Sequence, residues 1–382
     1  MTRLLIFCND YAYFMAHRYA LFSELPNSGV EVVAYCGAVP ADARPRLAFP
    51  IGRYACDRYR LRPFRDLFLL VQMLFLLFRH RPDVLHTITL KPNLIGGIAA
   101  RLYTSLSRRR CRLVMMTPGL GRVFANGASQ RRGLREKLVA AGLRHALSSR
   151  ASHAVFENGA DRDFWVGSGI VPLARAHVVQ GAGVDSHAFA GQATRLPPPP
   201  LKVLFASRLL KSKGIGPFLD LAAEAGRRGL DAGFVVAGQP DANDSDSVDL
   251  AGKTLPKNVD YVGHCDDMPK LLASAHVVVL PTIYAEGLPR ILIEAAAMAC
   301  VLMASDIAGC RRIVEDGTNG FLLPIADGKV DMQVAIDRLQ LLADNPDEVA
   351  RMGAAARASF LQGGFDLESV RKQIGSILFD RL

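Results

Sequence analysis

The 382-residue sequence has no paired-cysteine motif and no apolar run long enough to cross a bilayer. Its seven cysteines are odd in number and scattered, and none belongs to a Cys-x-x-Cys pair: Cys8, Cys36, Cys56, Cys111, Cys265, Cys300 and Cys310. This pattern argues against a disulfide framework or a structural zinc site and favours a reducing compartment. A strand-like run begins at residue 4 and leaves no room for a signal peptide, so we expect a cytoplasmic protein.

The chain is long enough for two domains, and its two halves differ in charge. Residues 1–195 contain 27 Lys and Arg against 12 Asp and Glu, whereas residues 196–382 contain 19 against 24. A basic first half indicates contact with an anionic surface or substrate. We do not expect nucleic acid, because the arginines cluster beside an apolar helix rather than among exposed aromatic residues.

Strand-like runs alternate with helical patterns in both halves, which predicts an α/β fold with two doubly wound parallel sheets. The predicted strands begin at residues 4, 30, 83, 112, 153 and 176 in the first half and at 203, 233 and 275 in the second. A proline run at 197–200 separates the two sets and predicts an extended spacer. We therefore predict domains at residues 1–195 and 201–364, followed by a helical tail at 365–382.

Two glutamates eight residues apart, Glu286 and Glu294, form the most informative motif. The apolar run at 275–281 predicts a buried strand, and Pro289 suits the first turn of a following helix. Glu286 is therefore expected in the loop beyond the strand, and Glu294 more than one turn into the helix. Ligands bind in this crevice of open α/β sheets, and a helix start favours phosphate. The alternative is a loop glutamate and a solvated helix glutamate with no shared role.

A second motif, Arg208 and Lys213, follows the predicted strand at 203–206. Arginine offers a planar fork to phosphate oxygens, and lysine offers a mobile point charge. Cations placed where negative charge develops on a leaving diphosphate stabilise the transition state. The alternative is an ordinary basic loop that leads into a helix.

The two motifs together resemble the retaining glycosyltransferases of family four, whose signature is a glutamate before Gly-x-Pro and a second glutamate eight residues later. The resemblance implies the GT-B fold, with two Rossmann-like domains facing across a cleft and a last helix that crosses back to the first domain. It implies that the donor is a nucleotide diphosphate sugar and that no cofactor is needed. Glu286 would contact the sugar hydroxyls and Glu294 the ribose, while Arg208 and Lys213 would hold the diphosphate. The remaining donor-binding residues would be Gly287 and Leu288.

The first half has less specific motifs, which the resemblance assigns to the acceptor. His17 and Arg18 resemble a His-Arg pair of many bacterial members, although residues 9–12 lack the paired glycines of better-known members. His86 would contact the transferred sugar. Lys91 would lie near an acceptor phosphate, since a Lys-Pro variant of this segment occurs in relatives that act on polyprenyl-linked sugars. The alternative is that these residues only pack or face solvent.

Two further features concern loops. Gly119 and Gly121 resemble the glycine loop at the cleft, but they do not complete a dinucleotide fingerprint because its third glycine is missing. Asp244 and Asp246 mimic the Asp-x-Asp that holds a divalent ion in the other major glycosyltransferase fold, yet they lie in a polar stretch without a strand leading into it. We expect no metal, because the cations of the second motif already supply the charge.

Residues 58–81 contain a twelve-residue apolar run, at 67–78, between clusters of arginine. Twelve residues are too few to span a bilayer, which needs about 20 in a helix. A basic collar around an apolar helix is typical of an interfacial segment on anionic lipid. The alternative is a helix buried between a sheet and its neighbours.

The sequence therefore predicts a retaining glycosyltransferase that moves a hexose or N-acetylhexosamine from a nucleotide diphosphate sugar to a lipid-linked saccharide. We expect it to work as a peripheral protein at the inner face of the cytoplasmic membrane, in surface polysaccharide assembly. The alternative from the same resemblance is a GT-B nucleotide-sugar epimerase, which binds the donor and transfers nothing.

Overall fold

The computed structural model of the protein describes residues 1–40, 47–57, 62–120, 124, 133–190, 198–284 and 286–379. The chain forms two compact units. The first unit consists of Met1–Ala182 together with Leu367–Leu382, and the second unit consists of Gly183–Asp366. The division after residue 182 comes before the predicted proline spacer.

The first unit is built on a seven-stranded sheet. Its strands are β1 (Thr2–Cys8), β2 (Val30–Cys36), β3 (Ile51–Arg53), β4 (Val84–Ile88), β5 (Arg112–Thr117), β6 (Ser152–Phe156) and β7 (Ala176–Val178). They lie in the order β3-β2-β1-β4-β5-β6-β7, and every pairing is parallel. Leu4 of β1, for example, lies opposite Val32 on one side and Val84 on the other.

Helices cover both faces of this sheet. They are α1 (Tyr11–His17), α2 (Tyr19–Phe22), α3 (Pro63–His80), α4 (Leu90–Ser107), α5 (Leu134–Ala146) and α6 (Gly159–Gly167). Side chains alternate along each strand, so Leu5 and Phe7 pack with α3, α4 and α5, whereas Leu4 and Ile6 pack with α1 and α2. Burial on both faces explains why the strands are apolar almost throughout.

The second unit is built on a six-stranded parallel sheet in the order β10-β9-β8-β11-β12-β13. Its strands are β8 (Leu201–Ala206), β9 (Ala232–Ala237), β10 (Val259–Gly263), β11 (Val277–Leu280), β12 (Val301–Ser305) and β13 (Gly320–Leu323). A small hairpin follows, of β14 (Ile325–Ala326) and β15 (Lys329–Val330). The helices are α7 (Ile215–Arg227), α8 (Met268–Ser274), α9 (Arg290–Ala297), α10 (Met332–Asp344) and α11 (Pro346–Gln362).

The last helix, α12 (Leu367–Phe379), belongs to the first unit although it follows the second in the chain. Its buried residues Val370, Ile374 and Leu378 recur every four positions and join the core on the Leu4 face of the first sheet. None of the helices in the described part of the chain is both long enough and apolar enough to cross a membrane.

The strand orders create one topological switch point in each sheet. In the first unit the chain leaves β1 toward β2 but leaves β4 toward β5, on the opposite side. In the second unit the same divergence occurs between β8 and β11. Loops diverge at these points and leave a crevice at the carboxyl ends of the strands, which is where open α/β sheets bind ligands. The predicted α/β class with two parallel doubly wound sheets is confirmed.

Candidate active site

The switch point of the second sheet brings the two strongest sequence motifs together. Arg208 and Lys213 lie in the loop after β8, and Glu286 lies in the loop after β11, the neighbouring strand. The ammonium of Lys213 donates a hydrogen bond to Oε1 of Glu286 and forms an ion pair with it. Lys213 and Glu286 are 73 positions apart in the chain, and they meet at the carboxyl edge of the second sheet because β8 and β11 are neighbours.

The loop after β8 is shaped by one glycine. A short 3-10 turn, Lys211–Lys213, ends at Gly214, which has a φ of +89°. A Cβ at this position would lie 2.1 Å from the backbone oxygen of Pro281, at the end of β11. Only glycine allows both this conformation and this approach. Gly214 therefore lets the Lys211–Lys213 turn, called the lysine turn below, pack closely against the loop that leads to Glu286.

Glu286 and Lys213 are mostly shielded from solvent but remain reachable, with 11% and 13% of their side chains exposed. The ammonium of Lys213 also lies 5.0 Å from the ring centroid of Tyr284, a cation–π contact. The hydroxyl of Thr282 lies 3.5 Å from Oε1 of Glu286. Both charges are therefore held in place before any ligand arrives.

The donor-binding residues after Glu286 lead into α9. Gly287 and Leu288 are buried, and a Cβ at Gly309 would lie 2.4 Å from the backbone oxygen of Gly287, so a second glycine permits close packing here. Glu294 lies more than one turn into α9, as predicted, and accepts a hydrogen bond from Nε of Arg290 at 2.6 Å. Burial raises the pKa of the Glu294 carboxyl, and the Arg290 guanidinium opposes that shift.

Arg208 is the most open of the predicted cations, with 35% of its side chain exposed. Its Nη1 lies 3.1 Å from Oδ2 of Asp241 and 3.9 Å from Oδ2 of Asp244. The polar loop that follows β9 therefore uses its carboxylates to hold Arg208. In the part of the chain that the structure describes, no group of three His, Cys, Asp or Glu side chains is arranged to hold a metal ion.

The acceptor-side residues of the first unit are more deeply buried. Arg18 is 2% exposed, donates two hydrogen bonds to the Tyr13 hydroxyl (3.1 and 2.8 Å) and pairs with the buried Glu157. This pair ties the junction between α1 and α2 to the end of β6. His17, at the end of α1, is half-buried and packs on Tyr13 with 4.8 Å between ring centroids. Arg18 is thus placed to hold loops rather than to reach a ligand.

His86, which the resemblance assigns to the transferred sugar, is buried in the structure. It lies inside β4, is 1% exposed, packs on Phe22, and its Nδ1 is 3.0 Å from the backbone oxygen of Val114. Burial lowers the pKa of the imidazole to about 4, and the Arg18 cation adds to that shift. The side chain is a neutral core residue because the strand continues for two residues beyond it.

Lys91 lies at the carboxyl edge of the first sheet, in the first turn of α4. It is buried, and its ammonium donates to Oδ1 of Asp66 at 3.0 Å. The other oxygen of Asp66 accepts the backbone N–H of Arg62 at 2.9 Å, which ties Lys91 to the start of α3. Gly119 follows β5 at the same edge, whereas Gly121 lies outside the described residues.

Helix α3 has apolar side chains on two sides. One side packs into the core through Leu69, Met73, Leu76 and Leu77. The other side faces solvent, and its exposed residues are Phe64, Leu67, Phe68, Val71, Phe75 and Phe78. The helix therefore serves as a core helix and also presents an apolar stripe. Arg58 and Arg60 of the predicted basic collar lie outside the described residues.

Sequence reasoning missed several residues of these sites. The sequence placed Asp241 and Asp246 in a polar loop and predicted no contact for either. In the structure Asp241 accepts a hydrogen bond from Arg208, and Asp246 accepts one from Ser212, next to Lys213. Asp66 and Glu157 gave no signal either, because each meets a partner at least 25 positions away. Their pairing depends on the strand order, which sequence spacing does not reveal.

The chain is similar to known glycosyltransferases over most of its length. Models of "Glycosyltransferase Family 4" and "Glycosyl transferases group 1" match residues 16–187 and 200–343. The alpha-D-kanosaminyltransferase of Streptomyces kanamyceticus is 30% identical over 181 residues, 45% of this chain and 46% of that protein. The phosphatidyl-myo-inositol mannosyltransferase of Mycobacterium tuberculosis is 29% identical over 202 residues, 52% of each chain. These matches span about half the length of both relatives.

Among solved structures, that of Anabaena HepE in complex with UDP matches with a TM-score of 0.75 at 18% identity and covers 99% of each chain. This similarity shows the fold. Since the two family models together match most of the chain, the protein belongs to the family 4 glycosyltransferases and has their GT-B fold.

Proposed function

We propose that the protein is a retaining glycosyltransferase that transfers a hexose or N-acetylhexosamine from a nucleotide diphosphate sugar to a lipid-linked saccharide, in cell-surface polysaccharide synthesis. The observation that carries the proposal is the ion pair between Lys213 and Glu286 at the switch point of the second sheet, with Arg208 in the same loop after β8 as Lys213. Similar structures support the donor class, since HepE has been solved in complex with UDP and with UDP-glucose.

In this proposal the two cations bind the diphosphate of the donor. Arg208 offers a planar guanidinium to the phosphate oxygens, and the partly exposed Lys213 offers a point charge. Negative charge grows on the diphosphate as the glycosidic bond breaks, so both cations bind the transition state more strongly than the ground state. Charge neutralisation by side chains is the reason we propose transfer without a metal or other cofactor.

Glu286 orients the donor sugar through its hydroxyls, and Glu294 contacts the ribose. The carboxylate of Glu286 is already paired with Lys213, so it accepts hydrogen bonds and is a poor nucleophile toward the sugar. We therefore propose a front-face route to retention, in which the leaving phosphate takes the proton of the acceptor hydroxyl as the new glycosidic bond forms.

Helix α3 is the feature that supports a lipid-linked acceptor. Its exposed apolar stripe lies beside arginines such as Arg65 and Arg79, a combination that suits the surface of an anionic membrane. One relative acts on a lipid, as the name phosphatidyl-myo-inositol mannosyltransferase states. We propose that the protein is peripheral on the inner face of the cytoplasmic membrane and that Lys91, beside the start of α3, faces the acceptor.

A product analysis tests this function. The purified protein is incubated with UDP-, GDP- and dTDP-sugars and a short-chain prenyl diphosphate N-acetylhexosamine, and the products are examined by mass spectrometry. The proposal predicts a donor-dependent gain of one sugar unit on the lipid, with the anomeric configuration of the donor retained. Isomerised donor without transfer would instead identify an epimerase.

A further inference from the structure

One serine connects the two loops of the candidate active site. The backbone oxygen of Ser212 accepts hydrogen bonds from the N–H groups of Ile283 (2.8 Å) and Tyr284 (3.1 Å) and from the hydroxyl of Thr282 (3.0 Å). These three residues belong to the loop that leads to Glu286. Ser212 itself directly precedes Lys213, so its position sets where the lysine backbone lies relative to the glutamate.

Ser212 is in turn held by an aspartate from a third loop. Its backbone N–H donates to Oδ2 of Asp246 at 2.9 Å, and its hydroxyl donates to the same oxygen. The backbone oxygen of Asp246 accepts the N–H of Lys211 at 2.9 Å. Asp246 therefore accepts hydrogen bonds from two successive residues of the lysine turn, Lys211 and Ser212.

The same loop also holds Arg208. Asp241 and Asp244 approach its guanidinium, and Oδ1 of Asp244 accepts the N–H of Asp246 at 3.0 Å. The segment from Asp241 to Asp246 thus contacts both ends of the cation-bearing loop after β8. Bonds to an ionised carboxylate are shorter and stronger than neutral ones, so this arrangement fixes the loop more firmly than backbone pairing alone.

We infer that Asp246 and Ser212 are positioning residues of the donor site, which hold Lys213 opposite Glu286 in the geometry that binds the donor diphosphate. This inference rests on the proposed function. Neither residue needs to touch the donor, because each acts through the backbone of the lysine turn. A displacement of about 1 Å at a reacting centre costs on the order of a hundredfold in rate, so the loss of this support should be measurable.

The test compares Asp246→Asn with Asp249→Asn, which changes an exposed aspartate in the same polar stretch. Calorimetry with UDP, GDP, ADP and dTDP identifies the nucleotide that the wild type binds, and donor kcat and KM are measured with the matching sugar. We expect Asp246→Asn to lower kcat/KM by about 10- to 100-fold, with a melting temperature equal to that of the control variant. Unchanged kcat/KM, or a loss that melting fully explains, would overturn the inference.

Ser212 provides an independent variant if Asp246→Asn does not fold. Ser212→Ala removes only the hydroxyl bond and should give a smaller loss of kcat/KM, whereas Ser212→Thr keeps the hydroxyl and should restore most of it. Equal activity of the alanine and threonine variants would overturn the role of the hydroxyl. A wild type that binds none of the four nucleotides would instead remove the proposed function, and the inference with it.

Discussion

The carboxyl edges of the two sheets have the same topology but use their charged residues differently. In the second unit Lys213 and Glu286 form a pair that solvent still reaches, and Arg208 is more open. In the first unit Arg18 and Glu157 form a pair with 2% and 5% of their side chains exposed. A charged pair at a switch point therefore does not always remain open to a ligand. Accessible charges can meet a ligand, whereas buried ones stabilise the loops around it.

The largest effect that this comparison predicts is on folding. Arg18→Met should lower the free energy of unfolding by about 3–5 kcal/mol, because it removes the cation that pairs with the buried Glu157 carboxylate. Urea denaturation followed by circular dichroism measures the change. Arg162→Met, which removes a partly exposed cation on α6, is the control and should cost far less. If Arg18→Met keeps wild-type stability but loses acceptor binding, then Arg18 contacts a ligand and does not serve mainly to stabilise the fold.

The next effect is on catalysis. Glu286→Gln should lower kcat by about 10²- to 10³-fold, since it removes a carboxylate that is already positioned at the donor sugar. Its affinity for the nucleoside diphosphate, measured by calorimetry, should change little. Glu315→Gln replaces an exposed glutamate of the same unit and serves as the control. Wild-type turnover in Glu286→Gln would exclude Glu286 from the active site.

A third prediction concerns pH and the buried His86. Its pKa is about 4 in the folded protein, below the usual value of 6.5, so between these values the unfolded chain binds more protons. The stabilisation is complete above pH 6.5 and is lost as the pH falls toward 4, a loss of about 3 kcal/mol. His86→Asn retains a donor for the Val114 oxygen but does not titrate.

The measurement is the difference in unfolding free energy between wild type and His86→Asn at several pH values. The advantage of the wild type should shrink steadily between pH 6.5 and pH 4. A difference that does not depend on pH would mean that His86 titrates normally and is accessible to ligands. The first sheet would then present an accessible titratable group, as the second sheet does.

The smallest predicted effect is on membrane binding. Replacing Phe68 and Phe75 by serine should weaken binding to phosphatidylglycerol vesicles by on the order of tenfold for each residue, because both rings are exposed on α3. Vesicle flotation measures the binding. Leu361→Ser removes an exposed apolar residue from the second unit and should have no effect. Equal flotation of the wild type and the double variant would show that α3 does not meet the membrane.

The sequence predicted the charged residues at the carboxyl edge of the second sheet better than those at the carboxyl edge of the first sheet, for a physical reason. Glu286, Glu294, Arg208 and Lys213 lie in or next to loops whose strands are clear apolar runs, so their common edge follows from the alternation of strands and helices. Strands β3, β10, β12 and β13 were not predicted. β3 is only three residues long, and the register of β10 is irregular between Tyr261 and Gly263.

The role of His86 could not be predicted, because its burial depends on where β4 ends. A strand that ended at residue 86 would have placed the imidazole at the sheet edge, but β4 continues to Ile88 and keeps it in the core. The pairs Lys91–Asp66 and Arg18–Glu157 likewise depend on contacts between distant segments. Short-range patterns locate loops, but they do not show which charges a loop will bury.

In the proposed function, Arg208 and Lys213 bind the diphosphate of the donor. The most direct measurement is calorimetric titration of the wild type, Lys213→Ala and Lys211→Ala with nucleoside diphosphates in the absence of added metal. Lys211 is exposed in the same turn, so its variant is the matched control. We expect one nucleotide to bind the wild type and Lys211→Ala alike, and to bind Lys213→Ala about 10- to 100-fold more weakly. Equal affinity in all three proteins would contradict the claim.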